Sequence, residues 1–296
     1  MAYEQPNAVN ALALYIEQFI KERLYLKNVT PATVSWYRNS FKAFAPVLGQ
    51  DFASQSALRA ALIEHIGVVR NEGRGNQAVS INTYLRVIRT FFNWCHESGH
   101  LKDKLKVEYL KEEEKVLAPF SPSHIKAILH YKPQTGNQRR VHTIALLILD
   151  TGLRITEVLQ LMVSDLDFEN LLIKVKGKGQ KHRLVPMSFE LRKILFRWSA
   201  SKKHLLFPTK YETRIRPRDF LRDFKKMCKR LGITGVRTSP HTLRHTFATE
   251  YLKAGGNIYK LSRMLGHSTI KTTERYLHLQ TADLAEEHQR LTLLAG

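Results

Sequence analysis

The sequence is short of acid, of cysteine and of long apolar runs. It sets only 26 Asp and Glu against 47 Lys and Arg. The acids are scattered, and no cluster of carboxylates suggests a two-metal nuclease. Two cysteines occur, Cys95 and Cys228. A chain of this size does not need the one disulfide they allow, and a reduced intracellular compartment is the simpler reading. The longest apolar run lies within Val141 to Leu149, far short of the roughly 20 residues a membrane span requires. Met1 to Asn10 shows no basic segment leading into an apolar one, so no signal peptide is expected, and a soluble, cytoplasmic protein is. No Gly-rich loop ending in GK[ST] and no GxGxxG after a strand offers a nucleotide cradle. Any phosphoryl chemistry must therefore stabilise charge with Arg, Lys and His rather than with a metal.

What is present in excess is positive charge. A net +21 over 296 residues favours a polyanion, either nucleic acid or an acidic membrane surface. Such binding weakens steeply with salt, because phosphate neutralisation releases counterions. The length suggests about two domains.

Apolar periodicity divides the chain. Asn7 to Leu26 carries Leu12, Tyr15, Ile16, Phe19 and Ile20 at helical spacing. Thr30-Pro31 reads as an N-cap followed by proline at the first helical position, opening a helix with Val34, Tyr37, Phe41 and Phe44 on one side. Ser56 to Val69 and Val79 to His96 complete a small all-α helical bundle, expected over residues 1–103. Arg86 and Arg89 sit among the apolar positions of its last helix, as solvated charges or as DNA contacts. Residues 104–120 are dense in charge and read as an interdomain linker or extended strap. A second domain is expected over 121–296, mainly α with a small β-hairpin. Ser121-Pro122 opens it. Helices are expected at Ser123 to Tyr131, Arg139 to Asp150 and Ile155 to Met162. A hairpin follows, with Leu171 to Val175 and Arg183 to Pro186 flanking Gly177-Lys178-Gly179-Gln180. Helices then recur at Ser188 to Trp198, Pro217 to Leu231, Thr242 to Ala254, Ile258 to Leu265 and Asp283 to Leu294.

Four places carry residues suited to chemistry. In His241-Thr242-Leu243-Arg244-His245, His241 and Arg244 share a helix face, and the planar fork of Arg matches phosphate. His241 and His245 also have the spacing of a zinc pair, but no Glu follows the first His and no third ligand is evident. In Thr151-Gly152-Leu153-Arg154-Ile155-Thr156-Glu157, Arg154 follows a glycine turn and opens a helix, with Glu157 one turn on to orient it. A structural Arg–Glu pair and a phosphate site are equally open there. Leu265-Gly266-His267-Ser268 ends one helix and begins another, expected to carry Tyr276, whose hydroxyl can act as a covalent nucleophile. Spacing alone does not privilege it among eleven tyrosines, of which Tyr251 and Tyr259 are read as packing residues. Lys178, between two glycines, sits at the hairpin tip, either solvated or reaching toward a ligand.

Together these boxes, in this order, resemble the tyrosine recombinase (phage-integrase-like) family over about Pro122 to Leu277. The helical region before them is similar, with less specific motifs, to that family's core-binding domain, a SAM-like bundle. The resemblance implies that Tyr276 attacks a DNA phosphodiester to form a 3′-phosphotyrosyl bond. Arg154 and Arg244 would clamp the non-bridging oxygens, Lys178 would protonate the leaving 5′-hydroxyl, His241 would serve as acid/base or hydrogen-bond partner, and His267 would hydrogen-bond the phosphate. Glu157 and His245 would support them. It further implies site-specific recombination of double-stranded DNA by a homotetramer through a Holliday junction, and docking of the last helix on a neighbouring subunit. No cofactor is implied, since the protein linkage conserves the phosphodiester energy. The basic stretch Arg214 to Arg230, with Arg214, Arg216, Arg218 and Arg222, is a candidate for backbone contact or a solvated helix. Two other readings share the charge: a type IB topoisomerase, and a DNA-binding protein without catalysis.

Overall fold

A computed structural model describes residues 8–49, 54–71, 77–112, 117–177, 182–267, 269–274 and 276. The chain divides into two compact units, Met1–Lys115 and Val116–Gly296.

The first unit is helical: α1 (Ala8–Tyr25), α2 (Pro31–Ala43), the single turn α3 (Ala45–Leu48), α4 (Gln55–Asn71) and α5 (Ala78–Glu97). The expected start of α2 is present, with the Thr30 hydroxyl accepting from the Thr33 amide at 3.3 Å. Phe19, Phe41, Phe91 and Trp94 fill the centre, with ring centroids 5.2–6.0 Å apart in mostly tilted or edge-on contacts. The unit extends past residue 103. Leu105 and Val107 are buried in the helical core, at 3% and 1% exposure. Two side-chain amides hold this strap to the helices. Gln55 pairs with both the N–H and the carbonyl of Lys106, at 2.6 and 2.8 Å. Asn82 does the same for Leu110, at 2.8 Å each way. These amides satisfy the backbone groups of Lys106 and Leu110, which no strand pairs among the described residues.

The second unit packs helices around a small sheet. Its elements are α6 (Pro122–Leu129), α7 (Gly136–Thr151), α8 (Ile155–Val158), β1 (Leu166–Asp167), β2 (Leu172–Lys176), β3 (His182–Pro186), α9 (Phe189–Ser199), α10 (Pro217–Arg230), α11 (Pro240–Lys253), α12 (Ile258–Leu265) and α13 (Lys271–Glu274). Among the described residues the sheet has three antiparallel strands in the order β1-β2-β3, with Ile173 opposite Val185 and Val175 opposite Arg183. Ile173, Val175 and Val185 are fully buried, so the face that carries Arg183 is the core face. α11 is buried on most sides, and Thr246 within it donates to the Thr242 carbonyl and accepts from the Phe120 amide.

Three expectations are corrected. The helix expected over Ile155 to Met162 stops at Val158. The chain turns out there to pair with another segment: the Leu206 amide donates to the Leu161 carbonyl and the Val163 amide to the His204 carbonyl, each at 2.9 Å. Tyr276 does not lie on a helix. α13 ends at Glu274, and the Tyr276 amide closes a turn on the Thr273 carbonyl at 3.0 Å. Tyr259 is 67% exposed rather than packed, because α12 turns it to solvent, whereas Tyr251 is half-buried against Phe247. The stretch 283–294, Ser268 and the hairpin tip lie outside the described residues.

Candidate active site

The site grows from two glycine turns. α7 ends at Gly152, in the left-handed conformation with φ of 66°. A Cβ there would collide with Phe247 and Leu265, so the turn needs glycine for both conformation and space. The turn delivers Arg154 to the N-terminus of α8. There Glu157 caps the helix by accepting from the Arg154 amide at 2.9 Å. α12 ends likewise at Gly266, with φ of 64°. A Cβ on Gly266 would lie 2.9 Å from the guanidinium carbon of Arg183.

Between these turns three guanidiniums and one carboxylate interlock. Arg154 donates from Nη1 to Glu157 at 3.1 Å and to the Leu265 carbonyl at 3.0 Å, and from Nη2 to the Gly266 carbonyl at 3.2 Å. Arg244, on α11, donates to the Gly152 carbonyl at 2.8 Å and to the same Leu265 carbonyl at 2.9 Å. One oxygen thus gathers both arginines. Arg183 grips Glu157 with a bidentate fork, at 3.0 and 2.9 Å, and donates to the Met264 carbonyl at 2.9 Å. Glu157 is bracketed by two cations while buried at 8% exposure. Burial opposes its ionisation. The Arg183 hydrogen bonds, the Arg154 amide and the two nearby charges outweigh that, and hold the carboxyl below its ordinary range.

Arg244 bears the cost of this crowding. Burial, then repulsion from Arg154 and Arg183, outweighs the attraction of Glu157 and Tyr276 and lowers its pKa to about 10. It remains a cation at neutral pH. His267 follows Gly266, with Nε2 2.8 Å from Arg244 Nη2 and Nδ1 2.8 Å from the Thr273 hydroxyl. Tyr276 is 1% exposed and packs with Ala248, Leu252, Leu261 and Leu265, its ring 5.2 Å from that of His245.

The structure therefore brings together Arg154, Glu157, Arg244 and His267 by direct hydrogen bonds, and places Tyr276 and His245 beside one another. His241 stands one turn before Arg244 but is exposed, at the open end of α11. Lys178 lies outside the described residues. Arg183 was not singled out from the sequence. Its signal was the alternation of β3, which puts an arginine on the inward face two residues before the buried Val185.

The six arginines considered for DNA contact are all exposed. On α5, the Arg89 guanidinium lies 5.3 Å from the Tyr109 ring centre, and Arg86 is one helical turn before it. On and before α10, Arg216 pairs with Asp219 at 2.8 Å, and Arg222 pairs with Asp219 and Asp223 at 3.3 and 2.9 Å. Arg214 and Arg218 flank them. No helix among the described residues is long and apolar enough to cross a membrane.

Comparison with known proteins agrees with this geometry. The pattern of the Phage integrase family matches residues 119–283. Tyrosine recombinase XerA of Saccharolobus solfataricus is 31% identical over 267 residues, covering 86% of this chain and 85% of that protein. XerA of Thermococcus kodakarensis is 30% identical, over 98% of this chain and 97% of that one. Among solved structures, the Tn1549 transposon integrase in complex with circular intermediate DNA matches with a TM-score of 0.77 at 21% identity, over 95% of this chain and 99% of that chain. The XerH site-specific recombinase bound to difH substrate matches with a TM-score of 0.72 at 18% identity, over 97% of each. At such identities the two structures establish the fold, which is that of the DNA integrases and recombinases. The chain belongs to the phage integrase family and is a tyrosine-type site-specific recombinase.

Proposed function

We propose that this protein cuts and rejoins duplex DNA at a specific site through a covalent bond to Tyr276. The observation that carries this reading is the convergence of Arg154 and Arg244 on one oxygen, the Leu265 carbonyl. Two fixed guanidiniums gathered around one acceptor suit the non-bridging oxygens of a single phosphate, on which charge builds during displacement.

In the reaction the Tyr276 oxygen attacks phosphorus and the bond to the 5′-oxygen breaks. A 3′-phosphotyrosyl link forms, and Lys178 supplies a proton to the departing 5′-hydroxyl. Rejoining is the reverse, with a 5′-hydroxyl as nucleophile. His267 donates to a phosphate oxygen, and His241 exchanges the tyrosine proton. Glu157 holds Arg154 in place, and His245 supports Tyr276. Tyr276 is buried, and in this reading DNA docking brings it to the phosphate. The exposed Arg86, Arg89, Arg214 and Arg218 contact the backbone, while Arg216 and Arg222 exchange their aspartates for phosphates. Four copies act on two paired sites through a Holliday junction in the cytoplasm, with residues 283–294 of each docked on a neighbour. Residues 1–103 and the catalytic domain 121–296 both bind the duplex.

The test is to trap the protein on a nicked suicide duplex. A denaturation-resistant adduct is expected with the natural chain and none with Tyr276→Phe. An adduct that survives Tyr276→Phe would mean another nucleophile and end the proposal.

A further inference from the structure

Thr273 has no part in the roles above, yet it is fully buried and its hydroxyl meets the imidazole of His267. A guanidinium carries only donors, so Arg244 Nη2, 2.8 Å from His267 Nε2, makes that nitrogen an acceptor. The ring proton then sits on Nδ1 and points at Thr273 Oγ1, 2.8 Å away. In strand cleavage the demand reverses. A phosphate oxygen offers lone pairs only, so Nε2 must carry the proton and Nδ1 must accept. A backbone carbonyl beside Nδ1 would forbid this second form, and a backbone amide would forbid the first. A hydroxyl serves either form, because it donates and accepts.

We propose that Thr273 is a positioning residue that lets His267 change tautomer. Nε2 faces Arg244 when no DNA is bound and donates to the scissile phosphate when it is. One proton leaves Nδ1 for water and one reaches Nε2 from water, with no change in net charge. The ring is half-buried, so water reaches it. The Thr273 backbone carbonyl also accepts from the Tyr276 amide at 3.0 Å, so the residue whose hydroxyl adapts to the imidazole also sits in the turn that carries Tyr276. The inference rests on the reading of this site as a phosphodiester site.

The experiment records the nitrogen shifts of the histidine rings in the full-length protein, with His267 identified by the signal lost in His267→Gln. Single-turnover cleavage is then measured on a nicked duplex selected by its binding to the Tyr276→Phe protein. The DNA-free natural chain should show the Nδ1–H form at His267. Thr273→Val, which keeps the shape and removes the hydroxyl, should mix the two forms and slow cleavage about tenfold, the size of one hydrogen bond, with DNA affinity within about twofold. Thr273→Ser should restore both signals and rate. An Nε2–H or doubly protonated ring in the natural DNA-free chain overturns the proposal without any variant. So does a Thr273→Val protein with natural shifts and rate, or a Thr273→Ser protein that stays as slow as Thr273→Val, since packing alone would then be responsible. If the natural chain forms no Tyr276 adduct, the reading of the site falls instead, while the ring signals still decide the Thr273–His267 pairing.

Discussion

Glu157 is the one anion among Arg154, Arg183 and Arg244, and the site depends on its staying charged. Its folded-state pKa lies below the ordinary 4.5. The stabilisation it supplies is therefore complete above that ordinary value and is lost as pH falls through the depressed one. Glu157→Gln leaves two partly buried guanidiniums without a countercharge, which costs about 3 kcal/mol at neutral pH. For a domain of this size that lowers Tm by roughly 6–12 °C. The gap between variant and natural chain should close as pH is taken below the carboxylate range, where the natural side chain also loses its charge. Thermal melts across pH 3–7 measure it, and a gap that does not depend on pH would assign the loss to packing. Arg154, Glu157, Arg244 and His267 were legible in the sequence because their boxes carry glycine turns and paired polar residues. Arg183 was not, because its role depends on strand register, which places it over Gly266 and inside the sheet's buried face. Nor does spacing say which tyrosine faces solvent, so Tyr259, read as a packing residue, is exposed while Tyr276 is buried.

Among the elements, α2 and α6 begin where serine or threonine followed by proline said they would, since capping and proline act locally, whereas α11, expected from Thr242, begins two residues earlier at Pro240 behind the Ser239 cap. The hairpin flanks were also legible from β-branched runs around glycines. What the sequence did not disclose is decided between distant segments. α8 ends early because Leu161 and Val163 find backbone partners at Leu206 and His204. The strap after α5 is packed because Leu105 and Val107 find a place in the helical core. Asn82→Ala tests the strap. Asn82 is 2% exposed, and its loss orphans the Leu110 amide and carbonyl. A loss of about 2 kcal/mol is expected in denaturant unfolding, together with faster amide exchange at Leu110. Unchanged exchange there would show that the apolar contacts alone hold the strap.

For the whole molecule, the excess of +21 makes DNA affinity a steep function of salt. A log–log slope of affinity against salt should be strongly negative and should flatten by roughly 1 for each phosphate-contacting arginine removed, with Arg214→Ala and Arg218→Ala as first cases. A slope left unchanged by both would place those side chains away from the backbone. Supercoiled plasmid without a recognition site should stay supercoiled. Efficient relaxation of it would move the protein toward the topoisomerases.

The burial of the proposed nucleophile also governs what the resting protein can suffer. The ring of Tyr276 is 1% exposed, whereas Tyr25, Tyr211 and Tyr259 are 76%, 74% and 67% exposed. Dilute tetranitromethane should nitrate those three rings and leave Tyr276 untouched in the DNA-free chain, as peptide mass mapping would reveal. Early nitration of Tyr276 would show that the turn opens unprompted. A phenol sheathed in this way is spared oxidants and stray electrophiles during storage. In the proposed reaction it is also withheld from every phosphodiester that has not first docked, so a strongly cationic enzyme would rest against unrelated DNA without nicking it.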